Sequence, residues 1–278
     1  LMRSLERLKQ QKFFRGTVSD VGGAAGNIYG HSPVDPSLCE KCRRSSCMFP
    51  NHCPNYVADG KRLIGLLRRL RRENGVKHIF INSGLEYYAG ERGEISVFEM
   101  GFGTGLNAFL TLLFAKLHPG VKIRYITVEK FPLKEFEYEK MNYPEMVASI
   151  PGYRCLTESA PEDFFNLFNT LHKVPWGSEQ SLLPDFSFTK FQGDLLDLEL
   201  SNGSVDIIYY DAFSPNTQPE LWSKDVFKKL YGWLVPGGIL VTYSSKGIVK
   251  QALRDSGFLV RRLPGPAGKK HIVRAIHP

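Results

Sequence analysis

The chain has 278 residues, 42% hydrophobic and 23% charged, which suits one large globular domain or a domain with an appendage. No apolar stretch approaches the length needed to cross a bilayer, and the start lacks the apolar core of a secretion signal, so the composition points to a cytoplasmic protein rather than a membrane-embedded or exported one. A net charge of +8 favours a polyanionic partner without naming one.

Residue 1 is Leu rather than an initiator Met, so the chain reads as a piece of something longer. Its first eighty residues carry Gly22, Gly23, Gly26 and Gly30 with Pro33, Pro36, Pro50 and Pro54, leaving little regular structure before about Asp59. Four of the five cysteines crowd here, Cys39, Cys42, Cys47 and Cys53, with Cys155 apart. Their C-x2-C-x4-C-x5-C spacing can ligate zinc or a cluster; free or buried thiols are the alternative. A helix is expected from Lys61 to Asn74, capped by Gly75. Leu63, Leu66, Leu67 and Leu70 form its apolar stripe, and Arg68, Arg69, Arg71 and Arg72 make either a solvated face or a phosphate contact.

From Ile95 onward, strand and helix patterns alternate as a parallel α/β sheet requires. Strands are expected at Ile95–Met100, Lys122–Glu129, Phe188–Gln192, Val205–Asp211 and Gly238–Tyr243. Helices are expected at Leu106–Leu117, Leu133–Met141, Pro161–Leu171, Pro219–Leu230 and Ile248–Ser256. Trp176–Pro184 reads as a surface loop, and Pro236-Gly237-Gly238 as a turn feeding the next strand. Phe258–Leu263 and His271–Ile276 read as an antiparallel hairpin closing the sheet edge.

The stretch 97–107, VFEMGFGTGLN, carries the most information. An apolar strand runs into Glu99, then into Gly101, Gly103 and Gly105, and a helix starts at once. Such a turn lets backbone N–H groups approach a nucleoside closely. The third glycine comes one residue too early for the dinucleotide fingerprint, and E-x-G-x-G-x-G after a first strand is instead the pattern of S-adenosyl-L-methionine (AdoMet) methyltransferases. The expected cofactor residues are Glu99, Gly101, Gly103, Thr104, Gly105, Asn107, Glu129, Lys130 and Asp194. Glu129 ends the second strand, where it can accept from ribose hydroxyls, and Asp194 follows a later strand, where it can accept from the adenine amino group. Asp211 ends its strand facing the transferred methyl and is the catalytic candidate; capping a turn is its structural alternative. Phe213, Pro215 and Trp222 can wall the acceptor pocket, with core packing an equal alternative for Trp222. Lys246, Lys269 and Lys270 offer cations on the same rim.

The segments GFGTGLNAFLT (101–111), VEKFPL (128–133), GDLLDL (193–198), DAFSPNTQPELW (211–222), LVPGGILVTYSSKGIVKQAL (234–253) and RLPGPAGKKHIVRA (262–275) occur in one order. Over about 81–278 the chain resembles the tRNA 5-methylaminomethyl-2-thiouridine methyltransferases, the MnmC N-terminal domain and the stand-alone MnmD form. The resemblance implies a Rossmann-like class I sheet and AdoMet-dependent N-methylation of 5-aminomethyl(-2-thio)uridine at the tRNA wobble position. It implies no metal requirement for transfer.

Residues 16–30 (GTVSDVGGAAGNIYG) and 39–85 are similar instead to a section of the YgiQ-type radical AdoMet proteins, without that family's C-x3-C-x2-C cluster motif. Radical chemistry is therefore not expected. The chain divides into 1–80 and 81–278, with a junction near His78–Tyr88 where an apolar strand and a Gly-Leu turn suit both families. The N-terminal β segment that covers cofactor and acceptor in MnmD proteins is missing from this pattern. The leading expectation is a tRNA methyltransferase; the alternative is a non-catalytic or impaired AdoMet- and tRNA-binding chimera, and a small-amine methyltransferase is a third reading.

Overall fold

The computed structural model describes residues 83–148, 162–264 and 271–278. The cysteine quartet, the arginine-rich helix, the division at residue 80, and Lys269 and Lys270 lie outside the described residues.

Eight strands form one sheet in the order β3-β4-β2-β1-β5-β6-β8-β7. Its centre is parallel: β1 (Glu94–Met100) lies between β2 (Lys122–Glu129) and β5 (Val205–Tyr210), with β4 (Phe186–Gln192) outside β2 and β6 (Leu234–Thr242) outside β5. β7 (Leu259–Pro264) and β8 (His271–Ile276) form the expected antiparallel hairpin, and β8 pairs with β6.

Helices cover both faces, so the strands are buried on both sides and read as continuous apolar runs rather than alternating ones; β5, VDIIYY, is buried at every position. On one face Val97, Tyr125, Phe188, Ile207 and Val241 pack against α1 (Leu85–Glu91), α2 (Leu106–Leu117) and α5 (Glu162–Lys173). On the other, Phe98, Ile126, Ile208, Tyr210 and Leu240 pack against α6 (Lys224–Trp233) and α7 (Gly247–Asp255). Consecutive strand residues enter opposite cores, as the two-residue strand period demands. This is the Rossmann-like class I arrangement, with the carboxyl ends of β1, β2, β4, β5 and β6 at one edge.

Four local expectations need correction. Trp176–Pro184 is not all loop: β3 (Gln180–Leu183) pairs antiparallel with β4 and extends the sheet by one edge strand. The helix expected over Pro219–Leu230 is a 3-10 turn at Pro219–Trp222 followed by α6, because the Ser223 hydroxyl accepts the Val226 N–H and starts a new helix. Over Leu133–Met141 only α3 (Glu135–Tyr138) is helical, closed by the Glu137 carboxylate on the Lys134 N–H; α4 (Tyr143–Ala148) follows. Pro236-Gly237-Gly238 is an irregularity inside β6 rather than a turn before it: Leu234 pairs with Val205, and pairing resumes at Ile239 opposite Ile207. A Cβ on Gly238 would sit 2.8 Å from the Val235 carbonyl oxygen, so the chain folds over itself there only with glycine. At the junction, Ser83 and Gly84 form a turn as expected and α1 begins at Leu85; the apolar strand before it lies outside the described residues.

Candidate methyl-transfer site

The glycine loop leaves β1 at Met100 and ends at α2. Gly101, Gly103 and Gly105 all adopt left-handed backbone (φ +85, +53 and +73). The Gly101 and Phe102 N–H groups donate to the Val128 carbonyl at the end of β2 (3.0 and 3.3 Å), and Gly105 N–H donates to Phe102 O at 2.8 Å. A Cβ on Gly101 would meet nothing within 4 Å, so the loop faces open space, while one on Gly105 would lie 2.9 Å from His172 Nε2. The loop is thus clamped beneath and open above.

Glu129, at the end of β2, accepts the Gly103 N–H at Oε2 (2.9 Å) and the Phe131 N–H at Oε1 (2.7 Å). One lone pair on each oxygen stays available for a second donor. Glu99 is buried beneath the loop; its Oε1 accepts from Asn107 Nδ2 at 2.9 Å, and its Oε2 has no hydrogen bond of normal geometry. Burial pushes the Glu99 carboxyl up to about 8; the Asn107 and Tyr125 side chains pull it down, and the charges of Asp211 and Glu129 push it further up. Asp194 accepts from Lys130 Nζ at 2.7 Å and from the Leu196 N–H at 3.0 Å, which joins the two loops after β2 and β4 on one rim. The Lys130 charge and these hydrogen bonds hold the Asp194 carboxyl below its usual range although burial opposes them. Thr104 Oγ1 receives the Tyr143 hydroxyl at 3.2 Å.

Asp211 follows β5, half-buried, and its loop is held by aromatic donors. Tyr243 donates to Ala212 O at 3.0 Å, Trp222 Nε1 to Phe213 O at 2.8 Å, and the Tyr210 hydroxyl to Leu221 O. A side-chain donor on each of these carbonyls fixes the backbone that carries Asp211. Trp222 is 3% exposed and packs edge-on against Tyr210 and Tyr243, so it belongs to the core under the loop and not to a pocket wall. Pro215 is likewise buried, whereas Phe213 is 47% exposed at the rim. Lys246 donates to Asn216 Oδ1 at 2.7 Å, tying the start of α7 to the same loop.

Two residues near the site escaped the sequence reading. His172, at the end of α5, stacks on Tyr138 (4.1 Å) and tilts against Phe102 (4.9 Å), wedging the underside of the glycine loop. Burial first, and then the Lys190 charge, lower its pKa to about 3, so it is a neutral wedge. Lys190 projects from β4, donates to the carbonyls of Leu171 and His172 at the end of α5, and lies over the Trp176 ring at 4.4 Å. Burial lowers its pKa to about 8. A histidine in the last turn of a helix looks ordinary, and the only signal for Lys190 was a cation within the apolar run FSFTKF.

Glu99, Glu129 and Asp211 therefore stand at the carboxyl ends of three adjacent strands, around a loop with room above it. Residues 168–278 match a family model described as S-adenosyl-L-methionine-dependent methyltransferase. Over these residues the chain is similar to that family. The chain is 35% identical over 184 residues to the tRNA 5-methylaminomethyl-2-thiouridine biosynthesis bifunctional protein MnmC of Campylobacter fetus, covering 65% of this chain and 28% of that one. The crystal structure of MnmC2 from Aquifex aeolicus superposes with a TM-score of 0.52 at 24% identity, over 72% of this chain and 59% of that one, and shares the fold. A UPF0313 protein of Porphyromonas gingivalis is 39% identical over 85 residues, 31% of this chain and 13% of that one. The chain spans less than a third of the length of the MnmC relatives it matches. Among the described residues no group of His, Cys, Asp or Glu is arranged to hold a metal ion, and no helix is long and apolar enough to cross a membrane.

Proposed function

We propose that this methyltransferase domain transfers the AdoMet methyl to the primary amine of 5-aminomethyl(-2-thio)uridine at the wobble position of tRNA. The convergence of Glu129 and Asp211 on the open glycine loop, above the buried Glu99, carries the reading. Such a pocket favours a cationic ligand and a nucleophile that becomes cationic as it reacts. The likeness to MnmC chains, named for tRNA 5-methylaminomethyl-2-thiouridine biosynthesis, supports the substrate class.

The cradle fits AdoMet: the left-handed loop leaves space above it, Glu129 has acceptor capacity for ribose hydroxyls, and Asp194 has it for the adenine amino group. AdoMet supplies an electrophilic methyl on a sulfonium. The chain's own residues do the remainder. The acceptor amine must arrive neutral, its proton released to solvent, since a protonated amine has no lone pair to attack with; Asp211 accepts a hydrogen bond from it and orients it. Its carboxylate then faces the positive charge that develops on nitrogen, from a backbone already fixed by Tyr243 and Trp222. Phe213 at the rim offers an aromatic face to the base carrying the amine. Holding amine and methyl in line provides most of the acceleration.

Binding and chemistry separate by variant. Glu129→Ala should raise the AdoMet Kd at least tenfold by calorimetry, while Asp211→Ala keeps near-normal AdoMet affinity and loses transfer to tRNA. Wild-type turnover in Asp211→Ala, or unchanged AdoMet binding in Glu129→Ala, contradicts these roles.

A further inference from the structure

Charge is divided sharply along the described chain. Residues 83–148 and 162–222 hold nineteen Asp and Glu against nine Lys and Arg, whereas 223–264 and 271–278 hold nine Lys and Arg against two acids, Asp225 and Asp255. The acidic part builds β1 to β5 with α1 to α5; the basic part builds α6, β6, α7 and the terminal hairpin. The cations are therefore concentrated on the elements at the β7 end of the sheet, while the acidic excess lies in the elements that precede them in the chain.

The basic end is organised. Lys246, Lys250 and Arg254 recur every fourth residue, a single stripe along α7 that starts at the Asp211 loop through the Lys246–Asn216 hydrogen bond. α7 packs beside β7 and α6, which add exposed Arg262, Lys224 and Lys228. Arg261 leaves the β7 edge on the opposite face, directly across the ladder from Arg274. Like charges directly opposite in a ladder are destabilising, and the Arg261 charge, after burial, lowers the Arg274 pKa. Charges that only guard an edge strand against pairing can be of either sign. That role accounts neither for a like-charged cross-strand pair nor for the cations of α6 and α7.

We infer that the α6–α7–β7 end, through Lys250, Arg254, Arg261 and Arg262, is the docking surface for the phosphate backbone of the RNA substrate, and that Lys246 leads the strand from it over Phe213 into the Asp211 pocket. This inference rests on the proposed tRNA substrate. Neutralising the nucleic-acid backbone with Lys and Arg supplies most sequence-independent affinity and makes it salt-dependent. The acidic excess of the other elements disfavours the same backbone, which favours approach from the α6–α7–β7 side.

The test uses the full chain and tRNA lacking the modification. A variant with Lys250→Gln, Arg254→Gln, Arg261→Gln and Arg262→Gln is compared with a control, Lys122→Gln with Lys140→Gln, from the acidic part. Expected are a loss of tRNA affinity of tenfold or more, a salt slope lower by about 3, and a raised KM for tRNA. The kcat at saturating tRNA and the AdoMet Kd should not change, the latter also reporting a folded cradle. The control should match wild type. A quadruple variant that binds tRNA like wild type while transfer persists overturns the docking surface and leaves the function standing. Equal losses in variant and control reduce the effect to general charge and also overturn it. A wild-type chain that neither binds nor methylates tRNA overturns the substrate reading itself, and the docking surface with it.

Discussion

Glu99→Gln isolates the cost of a buried carboxyl beneath the glycine loop. Glutamine keeps the size of the side chain and an acceptor for Asn107 Nδ2, and removes the ionisation. In the native chain burial raises the Glu99 pKa from about 4.5 to about 8. Between those values the folded state holds a proton that the unfolded state has released, so stability falls as pH rises through this window and levels off above it. The gap of about 3.5 units, at about 1.36 kcal/mol per unit, bounds the loss at about 5 kcal/mol. Glutamine carries no such loss. Urea unfolding of both chains without AdoMet, from pH 5 to pH 9, reads the difference directly. It should be small at pH 5 and grow to several kcal/mol in favour of Glu99→Gln by pH 8.5. A difference that does not change with pH, or a wild type that gains on the variant as pH rises, refutes the burial argument.

Gly105→Ala forces a Cβ onto left-handed backbone and to within 2.9 Å of His172 Nε2, a strain of about 1–3 kcal/mol, so calorimetry should show AdoMet affinity down at least tenfold and an unchanged Kd would refute the clamp. Lys190→Met removes a cation that the folded state deprotonates near pH 8 and the unfolded state only near 10.5. In that window the unfolded wild type binds more protons, so wild type should gain stability over the variant between pH 8 and pH 10, and a constant difference in urea midpoints counts against the buried charge.

The centre of the fold was legible from residues alone because its elements are punctuated. Apolar runs ending at Glu99 and Glu129 marked β1 and β2, and Gly105 marked the start of α2, whose bounds match the expectation. The Asp211 loop could be placed at a strand end, though not its anchoring by Tyr243 and Trp222, whose partners are 31 and 9 residues away. What was missed lacked a local signal. β3 is four residues long beside Gly177 and Pro184, and its pairing with β4 is what makes it a strand. Ser223 divided a run that its hydrophobic period treats as one helix. His172 and Lys190 acquire their roles from Tyr138, Phe102 and Trp176, contacts that only the packed structure brings together.

Methyl transfer from labelled AdoMet to bulk tRNA of a strain lacking this modification tests the central claim most directly, with nucleoside analysis of the product. The account predicts label in 5-methylaminomethyl(-2-thio)uridine and none when Asp211 is replaced by Ala. AdoMet binding with no label in tRNA, or label in any other nucleoside, contradicts it.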